Sequence, residues 1–211
     1  MSALDPWGLK VLAIFDRSTK QMRVIDFDHD RVGLPTISKS PSNYVIGGIR
    51  DSGGKLIANQ MLIINNIFTG GKVTSENGIV RDAADPGQKA LHTGGFDIVE
   101  NAGDTRPSHS DWFRLDPQDE QPFNDKYDVN GRSGFRLHLG GLSYGCVTFN
   151  KNDDDAKKGW EVFKNILNST STTTVQDRRG RQWLNPFSRI KHYGTIKVIG
   201  SDNIPILESN R

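Results

Sequence analysis

The chain contains a single cysteine, Cys146, and a histidine, His138, lies eight residues before it. An ordinary thiol has a pKa of about 8.5, so only a small fraction is the nucleophilic thiolate at neutral pH. A neighbouring imidazole can remove the thiol proton or, when protonated, stabilise the thiolate. The pair therefore indicates nucleophilic attack on a carbonyl carbon. A lone cysteine in a β-rich chain is also often a small buried residue, and the two residue types alone leave this interpretation open.

Two runs with alternating apolar residues, 135–138 and 146–149, flank a connection of seven residues with three glycines. This pattern is typical of two paired strands joined as a hairpin by a longer loop. Side chains alternate between the two faces of a strand, so Cys146 shares a face with Thr148, and His138 lies on the polar face of the first run. We therefore expect the thiol and the imidazole to emerge on the same side of the sheet.

A glycine directly precedes the cysteine in the sequence Tyr144, Gly145, Cys146. When a thiol attacks a carbonyl, an oxyanion forms, and a single well-placed backbone N–H can stabilise it by about 3 kcal/mol. Glycine at this point also removes the side chain that would crowd an incoming acyl group. We expect these residues to form an oxyanion-binding turn.

Residues 143–147, Ser-Tyr-Gly-Cys-Val, resemble the Ser/Thr-x-Gly-Cys-hydrophobic signature of the L,D-transpeptidases, the cysteine enzymes of bacterial peptidoglycan. The longer segment 131–146 is closer to a toxin-associated branch of that family, in which Gly-Arg-Ser-Gly-Phe-x-x-His precedes Ser-x-Gly-Cys. Residues 93–98, Thr-Gly-Gly-Phe-Asp-Ile, are faintly similar to the strand entry of the family. The resemblance implies a β-sandwich that acts on the stem peptides of peptidoglycan.

The resemblance also implies a role for each residue of the motif. Cys146 would be the nucleophile, His138 the base, Ser143 a site-shaping hydroxyl and Gly145 part of the oxyanion turn. A backbone carbonyl, rather than a distant aspartate, is expected to orient the imidazole. Acylation of Cys146 by the stem would release the terminal D-amino acid, and the acyl group would pass to water or to another D-amino acid. The implied activity is that of an L,D-transpeptidase or L,D-carboxypeptidase.

Two features depart from the pattern of the family. Tyr144 stands where the family usually has the histidine of Ser-His-Gly-Cys, and the interval between His138 and Cys146 is shorter than usual. A shortened loop predicts a more open site, which favours water or a free amino acid over a bulky peptide acceptor.

Four residues are expected to contact the substrate. Peptidoglycan stems carry several carboxylates, and a guanidinium binds a carboxylate bidentately. Arg136 shares the polar face with His138 and is therefore preferred over Arg132, which can instead fix the entry to the strand. Tyr144 and His92 complete the predicted substrate-binding set.

The rest of the chain predicts a fold that is mainly β with minor α, a β-rich α+β class. Runs 10–15 and 21–27 predict a hairpin, and 193–200 predicts the last strand. Residues 102–130 are polar and predict a long loop that covers or shapes a site. One helix is expected at about 154–168, where aspartates supply capping oxygens and apolar residues recur with helical spacing. These apolar residues are Ala156, Trp160, Phe163 and Leu167.

A length of 211 residues suits one domain, which we place at 10–211, with 1–9 as a linker. The sequence Asp-Pro-Trp-Gly-Leu at 5–9 is similar to the signature that closes the shell of rearrangement-hotspot (Rhs) repeat proteins before a toxic domain. A plain N-terminal turn explains the same residues. The resemblance implies an antibacterial toxin delivered as a secretion-system effector, which acts in the periplasm of a target bacterium. Its producer would then need an immunity protein.

The charges nearly cancel, with 27 basic and 25 acidic residues, so no nucleic-acid partner is expected. The apolar runs are too short to cross a membrane, and the first residues lack the pattern of a signal peptide. We therefore expect a monomer without membrane insertion, delivered without a signal peptide. Neither a cofactor nor a metal is expected, because the acidic segment 26–30 lacks the glycine and the closing glutamate of a calcium loop.

Two other classes of function remain open. A papain-like cysteine peptidase or amidase would share the thiol chemistry, but in such chains the cysteine usually precedes the histidine and lies at the start of a helix. A non-enzymatic binding module is the second alternative. Substitution of Cys146 and His138 would separate it from an enzyme.

Overall fold

The computed structural model describes residues 11–27, 44–50, 56–76, 78–85 and 87–207. In these residues the chain forms strands and a single α-helix, α1 (Asp154–Ser169), so the expected class, mainly β with minor α, is confirmed. The strands are β1 (Val11–Asp16), β2 (Gln21–Asp26), β3 (Tyr44–Arg50), β4 (Leu56–Ile64), β5 (Ile67–Phe68), β6 (Gly71–Val73), β7 (Ile79–Asp82), β8 (Gly94–Glu100), β9 (Phe113–Pro117), β10 (Arg136–Gly140), β11 (Leu142–Ser143), β12 (Val147–Asn150), β13 (Thr173–Gln176), β14 (Arg189–Ile199) and β15 (Ile206–Leu207).

Most strands belong to one sheet with the order β3-β4-β2-β1-β14-β8-β9-β10-β12-β5, and β13 pairs with β14 beside this path. Strands β4 and β5 lie near opposite ends of that order, yet only residues 65 and 66 separate them. The sheet therefore curls until β4 and β5 come together. At the junction, the carbonyl of Asn66 accepts from the N–H of Asn150 (3.1 Å), and the N–H of Ile67 donates to Lys20 (3.0 Å).

The hydrophobic core lies inside the curled sheet and is covered by α1. Trp160 and Phe163 of α1 contact Phe149 of β12, with ring centroids 5.0 and 6.1 Å apart. Gly159 lets the helix approach β4 so closely that a Cβ at this position would clash with Ile64. Because the apolar side chains of β10 and β12 face this core, their polar side chains face the other way.

The predicted helix and its buried face are confirmed. The helix begins after Asp153, whose carboxylate accepts a hydrogen bond from the N–H of Ala156 (2.7 Å). Asp154 and Asp155 in the first turn place negative charge at the positive end of the helix dipole. The four apolar residues that predicted the helix are all buried: Ala156, Trp160, Phe163 and Leu167.

The pairing of β10 with β12 is confirmed, but the prediction that 135–149 form a hairpin is wrong. The two strands run parallel, with Leu137 opposite Val147. After β10 the chain adds β11 to a second sheet, with the order β11-β6-β7-β15, and then returns to begin β12 in the same direction. A parallel connection usually needs a dozen or more residues. Here residues 141–146 make the crossover, and Gly145 turns the chain with a φ of 100°.

Part of the predicted loop at 102–130 is also wrong, because β9 (Phe113–Pro117) lies within it, between β8 and β10. Phe113 and Leu115 alternate in this strand with Arg114 and Asp116. Both charged side chains are fully buried, which sequence alternation does not reveal. Two other residues of the segment contact the polar face of β10: Trp112 stacks on His138, and Asp125 pairs with Arg136.

The first hairpin and the last strand agree with the sequence. Strands β1 and β2 pair antiparallel, and β14 extends the predicted run to Arg189–Ile199. The segment 1–9 and most of the acidic segment 26–30 lie outside the described residues, so the repeat-shell boundary stays a prediction. In the described part of the chain, the helix is too short and polar to span a membrane.

Candidate active site

Four polar side chains share one face of the pair formed by β10 and β12. Opposed residues of a parallel pair point the same way, and alternate residues of a strand share a face. The register therefore puts His138 level with Thr148, and Arg136 level with Cys146, which directly precedes β12. The thiol and the imidazole therefore lie on one face of the sheet. They are not directly opposite each other, because Cys146 is two residues before Thr148, the partner of His138.

The hydrogen bonds of His138 define which ring nitrogen is basic. Nδ1 lies 3.0 Å from the carbonyl oxygen of Leu139, and Nε2 lies 3.2 Å from Oγ1 of Thr148. A carbonyl can only accept, so Nδ1 carries the hydrogen and Nε2 accepts from the hydroxyl. The side chain is 3% exposed, and this burial lowers the pKa of His138 to about 4. At neutral pH the ring is a neutral base with Nε2 unprotonated.

An aromatic stack fixes the plane of this imidazole. The indole of Trp112 lies parallel to His138 with ring centroids 4.0 Å apart, and His109 stacks on the other side of the indole at 3.5 Å. Asp104 accepts a hydrogen bond from Nδ1 of His109 (2.8 Å) and so holds the outer ring. The stack excludes water from one face of His138 and contributes to the burial that keeps it neutral.

Cys146 is half-buried, and its sulfur lies 4.0 Å from the carbonyl oxygen of Gly134. Burial of the sulfur raises the pKa of Cys146. The backbone N–H and the guanidinium of Arg136, together with Arg132, favour the thiolate, whereas Asp125 opposes it. Burial outweighs these charges, so the resting group is a neutral thiol.

Gly145 forms the turn that presents the cysteine. Its φ of 100° lies in the left-handed region, which favours glycine. A Cβ here would also clash with the guanidinium of Arg132 and would lie 3.2 Å from the carbonyl oxygen of Lys89. No other residue fits this position without displacing its neighbours.

Ser143 holds this turn in place through two hydrogen bonds of its hydroxyl. Its hydroxyl donates to the carbonyl of Cys146 (2.8 Å) and accepts from the N–H of Gly70 (3.0 Å), and the residue is 1% exposed. Gly70 in turn lies against the backbone of 88–90, where a Cβ would clash. The serine therefore joins the nucleophile to the β5–β6 turn, and its hydroxyl hydrogen is already donated within the chain.

Arg136 already has a carboxylate partner within the chain. Its guanidinium makes two hydrogen bonds to Asp125, at 2.7 and 2.8 Å. The N–H groups of Asp125 and Phe123 donate to the buried carboxylate of Asp116. Burial raises the pKa of Asp116 to about 6, against the lowering effect of Arg114. This network holds the loop after β9 over the polar face, beside the cysteine.

Arg132 and Tyr144 connect the turn at Gly145 to residues 87–90. The guanidinium of Arg132 donates to the carbonyls of Lys89 and Ala90, and to that of Tyr144 at 3.4 Å. The ring of Tyr144 is 53% exposed and packs on Gly87. Arg132 therefore joins the segment before His92 to the turn that carries the nucleophile.

His92 borders the same region. Its ring stacks on Tyr127 with centroids 3.6 Å apart and meets Phe135 edge-on at 5.8 Å. Nδ1 is buried and has no hydrogen-bond partner among the described residues. Burial, with a further contribution from Arg132 and Arg17, lowers the pKa of His92 to about 4. The structure thus places His92 near Arg132, at the rim of the core.

Three groups that shape the site were not predicted from the sequence. Trp112 directly precedes β9, and the charged residues Arg114 and Asp116 make this strand hard to recognise in the sequence. The alternation of Phe113 and Leu115 after an aromatic residue is the signal that could have identified it. Asp125 is one of several acidic residues in a polar loop, and nothing in its spacing marks it as the partner of a strand arginine. Leu139 supplies the backbone carbonyl that was expected to orient the imidazole, but no side-chain pattern indicates which residue would supply it.

Among the described residues, no three His, Cys, Asp or Glu side chains are grouped so as to bind a metal ion. What the geometry offers is a neutral base, a neutral thiol and a glycine turn on adjoining strands. Comparisons with models of protein families, with curated proteins and with solved structures found no match for this chain.

Proposed function

We propose that this chain is a cysteine L,D-transpeptidase or L,D-carboxypeptidase that acts on the stem peptides of peptidoglycan. The observation that carries the proposal is the unprotonated Nε2 of His138 on the same sheet face as the thiol of Cys146. The left-handed turn at Gly145 and the buried hydroxyl of Ser143 support it, because they fix the nucleophile. The substrate class comes from the resemblance of the Ser-Tyr-Gly-Cys-Val sequence.

In the proposed reaction, the sulfur of Cys146 attacks the carbonyl carbon that links the stem to its terminal D-amino acid. Nε2 of His138 gives up its hydrogen bond with the hydroxyl of Thr148 and accepts one from the thiol instead. It then takes the proton of the thiol and later gives this proton to the leaving amine. The carbon–nitrogen bond breaks, the D-amino acid departs and a thioester remains. Water, or the amine of another D-amino acid, then attacks the thioester and restores the thiol.

Both reacting groups start neutral in this scheme. The pKa of His138 is lowered to about 4 by burial, and burial raises the pKa of Cys146, so a preformed thiolate and imidazolium pair is disfavoured. The proton therefore moves as the sulfur attacks. Without the imidazole, the thiol would have neither a base nor a stabilising cation at Nε2, so removal of His138 is expected to abolish acylation.

The acceptor in the second step is small. The crossover at 141–146 is short, and Leu142 and Tyr144 on it are 43% and 53% exposed. Few residues are thus available to enclose a peptide acceptor, which favours water or a free D-amino acid. Muropeptide profiling of cells exposed to the protein tests this. Trimmed stems or exchanged terminal D-amino acids support the open site, whereas abundant new cross-links contradict it.

Intact-protein mass spectrometry after incubation with muropeptides tests the chemistry directly. The expected result is an acyl adduct on Cys146 in the wild type and none in Cys146→Ala. His138→Ala should remain folded by circular dichroism and form no adduct. If both variants stay folded and retain the full biological activity of the wild type, the chain is a binding module and the enzymatic proposal is wrong.

The chain acts as an antibacterial toxin domain in the periplasm of a target cell, neutralised by an immunity protein of its producer. The resemblance of residues 5–9 to a repeat-shell boundary supports this role. Expression with and without a periplasmic targeting signal tests it, with Cys146→Ala as the control. Lysis should require both periplasmic targeting and the cysteine. Equal toxicity in the cytoplasm would point to a target other than peptidoglycan.

A further inference from the structure

Arg132 carries a positive charge that no carboxylate among the described residues neutralises. Its hydrogen bonds go to three backbone carbonyls, at 2.9 Å to Ala90, 3.1 Å to Lys89 and 3.4 Å to Tyr144. A carbonyl accepts a hydrogen bond but does not cancel the charge of a guanidinium. The side chain is therefore a fixed cation that an anionic ligand can use.

The other charges near the thiol compensate each other. Arg136 is bound to Asp125 through two short hydrogen bonds, so this pair is close to neutral. The two members act on Cys146 with opposite signs, and Arg132 adds a positive charge to them. Arg132 is therefore the cation near the sulfur that has no carboxylate partner among the described residues.

Arg132 is also close to the reacting atoms and rigidly held. Its guanidinium touches the position of a Cβ on Gly145, the residue directly before Cys146. It also lies over the ring of Phe135, 5.2 Å from the centroid. The carbonyl bonds and this cation–π contact fix the guanidinium in advance, so it loses little conformational entropy when it binds an anion.

We propose that Arg132 binds the free carboxylate of the terminal D-amino acid, so that only stems with a free carboxyl end are good substrates. This inference rests on the proposed function. In such a stem, one amide nitrogen and one α-carbon separate the scissile carbonyl carbon from the carboxylate carbon. A cation one residue from Cys146 lies within that reach. Arg136, the arginine preferred from the sequence, already has its carboxylate in Asp125.

Alkylation of Cys146 tests the anion site without any peptidoglycan substrate. The rates of modification by iodoacetate and by iodoacetamide are measured by intact-protein mass and compared with those of the neutral thiol N-acetylcysteinamide. An unpaired charge near the sulfur should raise the ratio of iodoacetate to iodoacetamide rates about tenfold over the model thiol at low salt. Added salt should reduce this enhancement, because it screens the charge.

Three variants show which cation is responsible. Arg132→Gln is expected to bring the ratio down to that of the model thiol, and Arg132→Lys, which keeps the charge, should retain most of it. Lys158→Gln removes one charge from the exposed surface of α1 and should leave the ratio unchanged. A wild-type ratio equal to that of the model thiol overturns the inference even if Arg132→Gln does not fold.

Paired stem peptides, one with a terminal carboxylate and one with a carboxamide, test the role in turnover. The wild type is expected to prefer the carboxylate about tenfold or more in kcat/KM, mainly through KM, and Arg132→Gln should lose this preference. If both peptides are turned over equally, the inference fails and the proposed function stands. If neither is turned over while the iodoacetate enhancement persists, the proposed function fails and the role in stem recognition fails with it.

Discussion

The substitution Ser143→Ala removes one oxygen atom that bonds two backbone groups. The hydroxyl donates to the carbonyl of Cys146 and accepts from the buried N–H of Gly70. Alanine can do neither, so both groups lose this partner. Because the side chain is 1% exposed, water cannot easily replace it. The change thus acts on the stability of the fold and on the position of the nucleophile at the same time.

The expected loss of stability follows from these two contacts. A buried donor or acceptor left without a partner costs about 1–3 kcal/mol. Two such groups, one of them only partly buried, give a loss in the free energy of unfolding of about 2–4 kcal/mol. A domain of this kind has about 5–15 kcal/mol in total. Ser143→Ala should therefore fold but unfold at a clearly lower denaturant concentration.

Urea unfolding followed by tryptophan fluorescence measures this loss. A matched control is Ser169→Ala at the end of α1, where the hydroxyl donates to Ile166 at an exposed position, and the expected loss is below about 0.5 kcal/mol. Alkylation of Cys146 in the folded variant should also change in rate, because the turn has lost its anchor. Equal stability losses for the two serine variants, within about 0.5 kcal/mol, would refute the reasoning.

Three further substitutions or conditions have defined outcomes. In Gly145→Ala the new side chain has a left-handed φ and also clashes with its neighbours, whereas in Gly180→Ala it has a φ of 50° but lies in open space. The loss in the free energy of unfolding, measured by thermal unfolding, should therefore be at least about 1 kcal/mol larger for Gly145→Ala. The pKa of His138 is lowered to about 4, and the base must be neutral, so kcat/KM should persist as pH falls through 6.5 and decline only near pH 4. An acid limb near 6.5 would mean that the ring is exposed during catalysis. Asp125→Asn removes a negative charge beside Cys146 and should lower the pKa of its thiol, which the pH dependence of iodoacetamide modification measures. An unchanged or higher thiol pKa would contradict this assignment of charges.

The elements that the sequence predicts well are those with a strong local signal. The helix carries its own cap at Asp153 and a regular apolar spacing, and both features depend only on nearby residues. The shared face of His138 and Cys146 also follows from local alternation. Because the period of a strand is two whichever way its partner runs, this expectation agrees with the observed register even though the predicted hairpin is wrong.

What the sequence did not predict depends on partners far along the chain. The direction of β12 is set by β11, whose two residues are too few to show a pattern. Strand β9 contains Arg114 and Asp116, whose burial is possible because Arg114 lies beside both Asp116 and Asp177 in the folded chain. The ion pair between Arg136 and Asp125 has the same cause, since the spacing of residues does not reveal a bidentate contact with the loop.

Closure of the curled sheet has a consequence for how the protein folds. The pairing of β5 with β12 sets Phe68 opposite Thr148 and Ile67 opposite Phe149, and it joins segments far apart in the chain. Such contacts form slowly, because loop entropy is lost before they stabilise the structure. Strand β12 starts directly after Cys146, so an incompletely closed chain carries an ordinary, unpositioned thiol. The reactivity of that thiol during refolding is then a direct measure of the moment at which the two ends of the sheet meet.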